Sequence, residues 1–200
     1  MISALVLAAG ESKRMGETKQ LLEWQGKPIL QHILDTLSDS AVDEVILVLG
    51  HEAGRISSKV SGEKIKIIIN PDYKEGMSTS LRHGLRAMDE KAEAFLVVLG
   101  DQPGVGKEII DRLIQSFHEF GSKKDIVLPT YRGRRGHPVL FSRRYVEEAL
   151  KLKGDVGARQ VLLGHPEEIL AVEVNTDAIL SDIDTPQDYL NQEERDLAEE

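Results

Sequence analysis

Apolar runs rich in branched residues alternate along the chain with segments of helical spacing. Ala4–Ala9, Glu44–Leu49, Lys66–Ile69, Ala94–Leu99 and Ile126–Leu128 read as buried strands. Between them Ile29, Leu30, Ile33, Leu34 and Leu37 share one helical face, as do Leu81, Leu85 and Met88, and then Ile109, Ile110, Leu113, Ile114 and Phe117. Pro28 suits the first turn of the first of these helices, where a missing N–H costs little. Alternation of this kind predicts an α/β fold, a doubly wound and mostly parallel sheet with helices on both faces.

Beyond about Thr130 the pattern changes. Tyr131–Gly136 is a basic, glycine-containing turn, and His137–Phe141 reads as a short strand. Arg144–Lys151 and Ala158–Leu163 read as helices and Ile169–Val174 as another strand. Pro186 opens a terminal helix to about Leu197, and the acidic tail after it is expected to fray. No repeat, low-complexity tract or linker interrupts the chain. Residues 1–200 therefore read as a single domain, with 131–185 an extra layer on the sheet begun by 1–130, and 186–200 a terminal helix and tail.

Composition narrows the function. Two hundred residues make one ordinary α/β domain, able to bury roughly 70% of its unfolded surface without disulfide or structural metal. The chain has no cysteine, which removes disulfides, zinc–thiolate sites, iron–sulfur ligation and thiol nucleophiles together. Its apolar runs are too short to span a bilayer, and no basic-then-apolar leader opens it, so a cytoplasmic location away from membranes is expected. A net charge of −9 with 4% aromatic residues makes it a poor nucleic-acid binder. His32, His51, His83, His118 and His165 lack metal-ligand spacing, and neither a His-Glu-x-x-His nor a Gly-x-Ser-x-Gly motif occurs.

Local charge says more than the sum. Lys13, Arg14 and Lys19 cluster beside glycines in the loop Gly10–Lys19 that follows the first strand. Ligands of open parallel sheets bind beyond the strands' carboxyl ends, and a glycine loop there can turn backbone N–H groups toward phosphate. Arg14 could grip two phosphate oxygens and Lys19 could act as a mobile point charge. The loop is not a Walker A loop, because Glu17 and Thr18 follow Gly16, and not a dinucleotide loop, because Ser12 stands where a second glycine is needed. A plain tight connection remains the alternative. Asp101 ends a buried strand and has the chemistry of a Mg²⁺ ligand, or of a cap for the helix that follows. Asp182 and Asp184 straddle Ile183 and should point to one side, though Asp184 could instead cap the last helix. In Gly76–Ser80, Ser78 and Ser80 could read the edge of a base, or Ser78 could cap a helix starting near Thr79. Arg132, Arg134, Arg135 and His137 form a second basic cluster, either a solvated hairpin tip or an anion site. Asp155 and Arg159 are either an i,i+4 pair or part of a pocket.

Leu7-Ala8-Ala9-Gly10-x-Ser12-x-Arg14-Met15-Gly16-x-x-Lys19-x-Leu21-Leu22 resembles the signature loop of nucleotidyltransferases of the sugar-nucleotide pyrophosphorylase type. Within them it resembles the MobA-like branch of molybdenum cofactor cytidylyltransferases and their purine-catabolism relatives. Asn70-Pro71 with Gly76–Leu81, Gly100-Asp101-Gln102-Pro103, Gly133–Phe141, Gly154-Asp155-x-Gly157-Ala158-Arg159 and Asp182-Ile183-Asp184-Thr185-Pro186 are similar to that branch in order and spacing, from Leu7 to Tyr189.

The resemblance implies Mg²⁺-dependent transfer of CMP from CTP, or from another NTP, to a molybdopterin-type cofactor with release of pyrophosphate. It implies catalytic roles for Arg14, Lys19 and Asp101, and nucleotide contacts from Leu7, Ala8, Ala9, Gly10, Ser12, Gly16, Lys19, Ser78, Ser80 and Asp101. It places the acceptor beside Arg135, His137, Asp155 and Arg159, and the metal on Asp101 with Asp184 favoured over Asp182 as second ligand. Residues 1–130 become the nucleotide-binding half and 131–185 the acceptor side, with an apo-molybdoenzyme as a further partner. Two alternatives stay open, a cytidylyl- or uridylyltransferase acting on a sugar or polyol phosphate, and a non-catalytic molybdopterin-binding accessory protein for a hydroxylase.

Overall fold

The computed structural model describes residues 1–121 and 124–199, with 193–199 as backbone; Glu200, the end of the tail expected to fray, lies outside the described residues. Its centre is β1 (Ile2–Ala8), almost wholly buried because both faces of the strand are covered. The remaining elements follow in chain order: β2 (Glu23–Trp24), β3 (Lys27–Pro28), α1 (Ile29–Asp39), β4 (Glu44–Leu49), α2 (Ala53–Ser57), β5 (Ile65–Ile69), α3 (Met77–Ala87), β6 (Ala94–Leu99) and α4 (Lys107–Phe120). Then come β7 (Ile126–Tyr131), β8 (Arg134–Arg135), β9 (Val139–Ser142), α5 (Val146–Ala149), α6 (Arg159–Gly164), β10 (Ile169–Glu173) and α7 (Pro186–Glu199).

The main sheet runs in the order β10-β7-β9-β6-β1-β4-β5, with β8 paired to β7. β1 lies parallel between β4 and β6, with Val6 opposite both Leu47 and Val98. Strands β9 and β8 are antiparallel to their neighbours. One face of the sheet (Ala4, Val6, Leu47, Leu96) packs on α1 and α4; the other (Leu5, Ile46, Val48, Phe95) packs on α3, α5 and α6. The expected mostly parallel sheet with helices on both faces is therefore present. Phe95 and Phe141 are register partners on β6 and β9, and their rings stack at 5.2 Å. Truncating either to alanine should cost about 3–5 kcal/mol.

Three details differ from expectation. Pro28 sits at the N-cap of α1 as the end of the β2–β3 hairpin, not in the helix's first turn, because it pairs there with Glu23. Arg144–Lys151 is a 3₁₀ turn over Arg143–Tyr145 followed by the short α5. The terminal helix continues to Glu199. Among the described residues no helix is long and apolar enough to cross a membrane. The parallel strands deliver Ala8 and Leu99 to one rim of the sheet, and the chain's unusual polar groups gather there.

Candidate active site

The loop after β1 is fastened before any ligand is considered. Ser12 takes a positive φ of 52°, and its carbonyl accepts from the N–H groups of Met15 (3.0 Å) and Gly16 (3.2 Å). Gly16 follows at φ 82°, a conformation open to glycine at little cost. Ser12 Oγ accepts from Lys19 N and donates to Gln20 Oε1, each at 3.3 Å. Gln20, only 2% exposed, donates in turn to the Ala8 carbonyl at 3.3 Å. This ring ties the loop to the end of β1 and holds Lys19 over the rim. Sequence reasoning missed Gln20; a polar residue between the apolar Leu21-Leu22 pair and a basic loop was its one visible signal.

Lys19 Nζ lies 2.7 Å from Asp101 Oδ2 and 2.8 Å from Asp184 Oδ1, while Arg14 Nη2 reaches Asp184 Oδ2 at 2.7 Å. Strands β1 and β6 and the segment before α7 thus bring residues 14, 19, 101 and 184 into one cluster. Burial opposes the Lys19 charge, but Asp101 and Asp184 outweigh it, and its pKa rises above the usual lysine value. Burial likewise works against Asp184, but Lys19 and Arg14 hold its carboxyl below the usual range. Asp101 moves upward: burial dominates, Lys19 opposes it, and the carboxylates Asp182 and Asp184 reinforce it. Asp101 Oδ1 is buried and has no hydrogen-bond partner.

The capping alternatives are settled by geometry. Helix α4 starts at Lys107 with Gly106 at its N-cap, so Asp101 caps nothing there. At α7 the cap is Thr185 with Asp188: Thr185 N donates to Asp188 Oδ2 at 2.8 Å and Asp188 N donates to Thr185 Oγ1 at 3.2 Å. That leaves the Asp184 carboxylate to the basic cluster. Helix α3 begins at Met77 with Gly76 at its N-cap, so Ser78 is inside the helix; its side chain is fully buried and its Oγ makes no hydrogen bond.

A cleft of 360 Å³ opens over the rim. Leu7, Ala8, Ala9, Gly10, Arg14, Lys19, Ser80, Asp101, Asp155, Asp182 and Asp184 line it. Ser12 lines an adjoining groove of 550 Å³ over the loop. Gly16 and Ser78 line neither, Gly16 acting through the turn and Ser78 lying beneath the surface. Asp182 Oδ1 is held by Gln102 Nε2 at 2.5 Å. Asp155 Oδ1 accepts from Met77 N at 3.2 Å, which makes it a cap for α3 supplied from the loop before α6; it makes no i,i+4 bond to Arg159. A Cβ at Gly76, whose φ is +112°, would stand 2.5 Å from the backbone of Gly154 and Asp155, so this junction requires glycine.

Arg135, His137 and Arg159 are not in this cleft. They line a separate cavity of 370 Å³ floored by Val97, Leu128, Val139 and Phe141. Burial lowers the His137 pKa, with the Asp101 charge opposing it, so the ring is neutral at neutral pH.

Among the described residues no group of three or more His, Cys, Asp or Glu is poised around a metal position. A Mg²⁺ ion needs less from protein: one or two carboxylates, with phosphate and water completing its shell. Asp101, with an unpartnered buried oxygen, and Asp184 fit that requirement, while Lys19 and Arg14 balance their charge.

Residues 4–169 match the model of the MobA-like NTP transferase domain. The chain is 32% identical over 198 residues to the molybdenum cofactor cytidylyltransferase of Escherichia coli (strain K12), across 97% of this chain and 96% of that protein. It is 30% identical over 190 residues to the nicotine blue oxidoreductase of Paenarthrobacter nicotinovorans, across 92% of each. The crystal structure of Rv0371c from Mycobacterium tuberculosis H37Rv in complex with manganese matches it with a TM-score of 0.79 and 29% identity, over 96% of this chain and 98% of that one. A family match over most of the chain, with a basic loop and an acidic strand end facing one cleft, means that this chain belongs to the MobA-like NTP transferases and is a nucleotidyltransferase.

Proposed function

We propose that the enzyme transfers CMP from CTP to the phosphate of a molybdopterin-type cofactor and releases pyrophosphate, using Mg²⁺ at Asp101 and Asp184. The observation that carries this reading is the Lys19 bridge between two carboxylates, beside a buried and unpartnered Asp101 oxygen, in a cleft of nucleotide size. The cytidylyl and molybdenum-cofactor parts rest on similarity to the Escherichia coli protein over 97% of the chain. The absence of a dinucleotide glycine fingerprint favours group transfer over hydride chemistry, whatever the name of the second relative.

The chemistry asks little of a general base. A phosphate oxygen of the acceptor is already anionic; it forms a bond to the α-phosphorus, the bond from that phosphorus to the bridging oxygen breaks, and pyrophosphate leaves with the electron pair. Catalysis is then positioning plus charge neutralisation. Arg14 and Lys19 carry the positive charge for the triphosphate and the departing pyrophosphate, and the loop after β1 supplies N–H donors. When bound, Mg²⁺ would supply Lewis-acid stabilisation of phosphate oxygens. On the acceptor side, Arg135 and Arg159 provide charge at the rim of the second cavity and neutral His137 a hydrogen-bonding edge, with Asp155 between the cleft and α6. An apo-molybdoenzyme receiving the product belongs to the same reading.

The test is pyrophosphate release with each of the four NTPs, with and without Mg²⁺, against molybdopterin carrying molybdenum and against a panel of sugar and polyol phosphates. Release with CTP and the molybdopterin acceptor is expected. Release only with a sugar or polyol phosphate would reassign the acceptor. Tight molybdopterin binding with no pyrophosphate under any condition would replace the enzyme with a carrier.

A further inference from the structure

The Asn70-Pro71 motif has no part in the chemistry above, yet Asn70 is completely buried directly beside the cleft. It follows β5, and its backbone N–H extends the sheet by donating to the Leu49 carbonyl at 2.7 Å. Its side chain uses every hydrogen-bonding group it has. Oδ1 accepts from the backbone N–H of Asp72 at 2.9 Å, and Nδ2 donates to Thr79 Oγ1 at 2.8 Å and to Ser80 Oγ at 3.0 Å.

The amide orientation is fixed by its partners. A backbone N–H can only donate, so the oxygen faces Asp72 and the NH₂ faces the two hydroxyls. Both hydroxyls are therefore acceptors toward Asn70 and must send their own protons elsewhere. Thr79 sends its proton to the Gly76 carbonyl at 2.8 Å. Ser80 lines the cleft, and among the described residues its hydroxyl proton has no acceptor. A serine hydroxyl ordinarily rotates to donate or accept as a ligand requires; here one lone pair is held by Asn70, and with no acceptor for the proton among the described residues, donation into the cleft is what satisfies it.

We propose that Asn70 is a positioning residue that commits Ser80 to donating a hydrogen bond into the cleft, and that this commitment selects cytosine over uracil. The inference rests on the nucleotide reading of the cleft and sets the N3 edge of a pyrimidine opposite Ser80. Cytosine presents an unprotonated N3, which accepts a hydrogen bond. Uracil carries a hydrogen at the same position, and two donors facing each other leave both unsatisfied in a site shielded from water. An unsatisfied pair of this kind costs enough to reject the wrong base by about tenfold or more.

Asn70→Asp provides a sharp test, because it keeps the shape and inverts the polarity. An ionised carboxylate accepts from Asp72 N as before, but toward the hydroxyls it also accepts. Ser80 would then donate inward and turn its lone pairs to the cleft, where uracil N3–H can meet them. Ser80→Ala is the second variant; it removes the donor and leaves Asn70 with its Thr79 and Asp72 bonds. The measurement is the affinity for CTP and for UTP, each with Mg²⁺, by calorimetry at pH 8, together with kcat and KM for pyrophosphate release.

The parent should favour CTP over UTP by about tenfold or more. Ser80→Ala should bring the ratio close to one, and Asn70→Asp should bring it to one or below, mostly through KM. A general loss of packing would weaken both nucleotides equally and leave the ratio in place. An unchanged ratio in Ser80→Ala overturns the proposal while the nucleotidyltransferase reading stands, and so does a parent that binds CTP and UTP alike. Failure to bind any NTP would sink the nucleotide reading itself. If Asn70→Asp does not fold, Asn70→Ala, which removes the donor to Ser80, takes its place; a CTP-to-UTP ratio left at the parent value in the Asn70 variant that folds overturns the proposal.

Discussion

Replacing Lys19 with methionine removes one charge and keeps most of the apolar stem. In the native cleft the ammonium sits 2.7 and 2.8 Å from two carboxylates, and its side chain is 12% exposed against 21% for Asp101 and 30% for Asp184. At an effective dielectric constant of about 20, each contact corresponds to about 6 kcal/mol of Coulomb attraction. Most of that is offset by the desolvation of the three groups, and breaking a well-buried pair costs about 3–5 kcal/mol net. Partial solvent access to the carboxylates reduces the figure to about 2–3 kcal/mol. For a chain of this size that is a fall in Tm of about 5–10 °C.

A divalent ion distinguishes this from ordinary loss of packing. With Lys19 gone, Asp101 and Asp184 lose the cation they share, so Mg²⁺ should bind the variant without nucleotide. At a hundred times its Kd the ion would restore about 2.7 kcal/mol. The assay is thermal unfolding of parent and variant across a Mg²⁺ titration at neutral pH, with NaCl matching the ionic strength. The variant should lose stability in sodium and regain it in magnesium, while its turnover stays about 10²-fold below the parent. A variant as stable as the parent, or one indifferent to Mg²⁺, would refute the claim that Lys19 neutralises a cation site.

Asp101→Asn should leave the fold intact and abolish Mg²⁺-dependent pyrophosphate release; turnover within a few-fold of the parent would remove Asp101 from the site. Gly76→Ala forces a Cβ into the Gly154–Asp155 backbone at 2.5 Å and strains a φ of +112°, so Tm and nucleotide affinity should fall together, and an unchanged melting curve would mean the junction is loose. Asp184 has a lowered pKa, so its stabilising contribution is present above the usual carboxylate pKa and lost as pH falls through its folded value, below about pH 4. Lys19 has a raised pKa, so its contribution is present below about pH 10.4 and lost as pH rises through its folded value. Urea midpoints across pH should show both limbs in the parent and no alkaline limb of this origin in Lys19→Met.

The repeating core of the fold was legible because parallel strands buried on both faces leave continuous apolar runs, and their partner helices leave a 3.6-residue spacing. What escaped was short or non-local. The β2–β3 hairpin has two residues per strand, too few for any periodicity, and it moved Pro28 out of the helix. The antiparallel insertion of β9 between β6 and β7 is a topological fact that no local pattern encodes. That insertion is also why Arg135 and His137 share a cavity with Arg159 and not with Asp155, which loop length alone could not decide. Gln20 and Asn70 were opaque for another reason. A buried amide in a strand end or tight loop looks in sequence like any turn residue, and its value depends on which backbone groups it reaches in three dimensions.

The same reasoning explains why Asp184 is the more available carboxylate of its pair. Thr185 and Asp188 form a reciprocal cap, a pattern readable as Thr-x-x-Asp in the sequence, and with the helix end satisfied Asp184 is released toward Lys19 and Arg14. Asp182 is held by Gln102 and reaches the cluster through its charge on Asp101. Two basic side chains therefore neutralise two carboxylates where the proposed substrate would bring a triphosphate and a cation. Triphosphate alone would draw Lys19 and Arg14 away and leave buried carboxylates uncompensated; cation alone would displace a lysine whose charge then has no partner. Each ligand removes the other's penalty, so the reading requires that CTP and Mg²⁺ bind together more tightly than either does alone, a coupling that follows from charge conservation within a partly buried cleft.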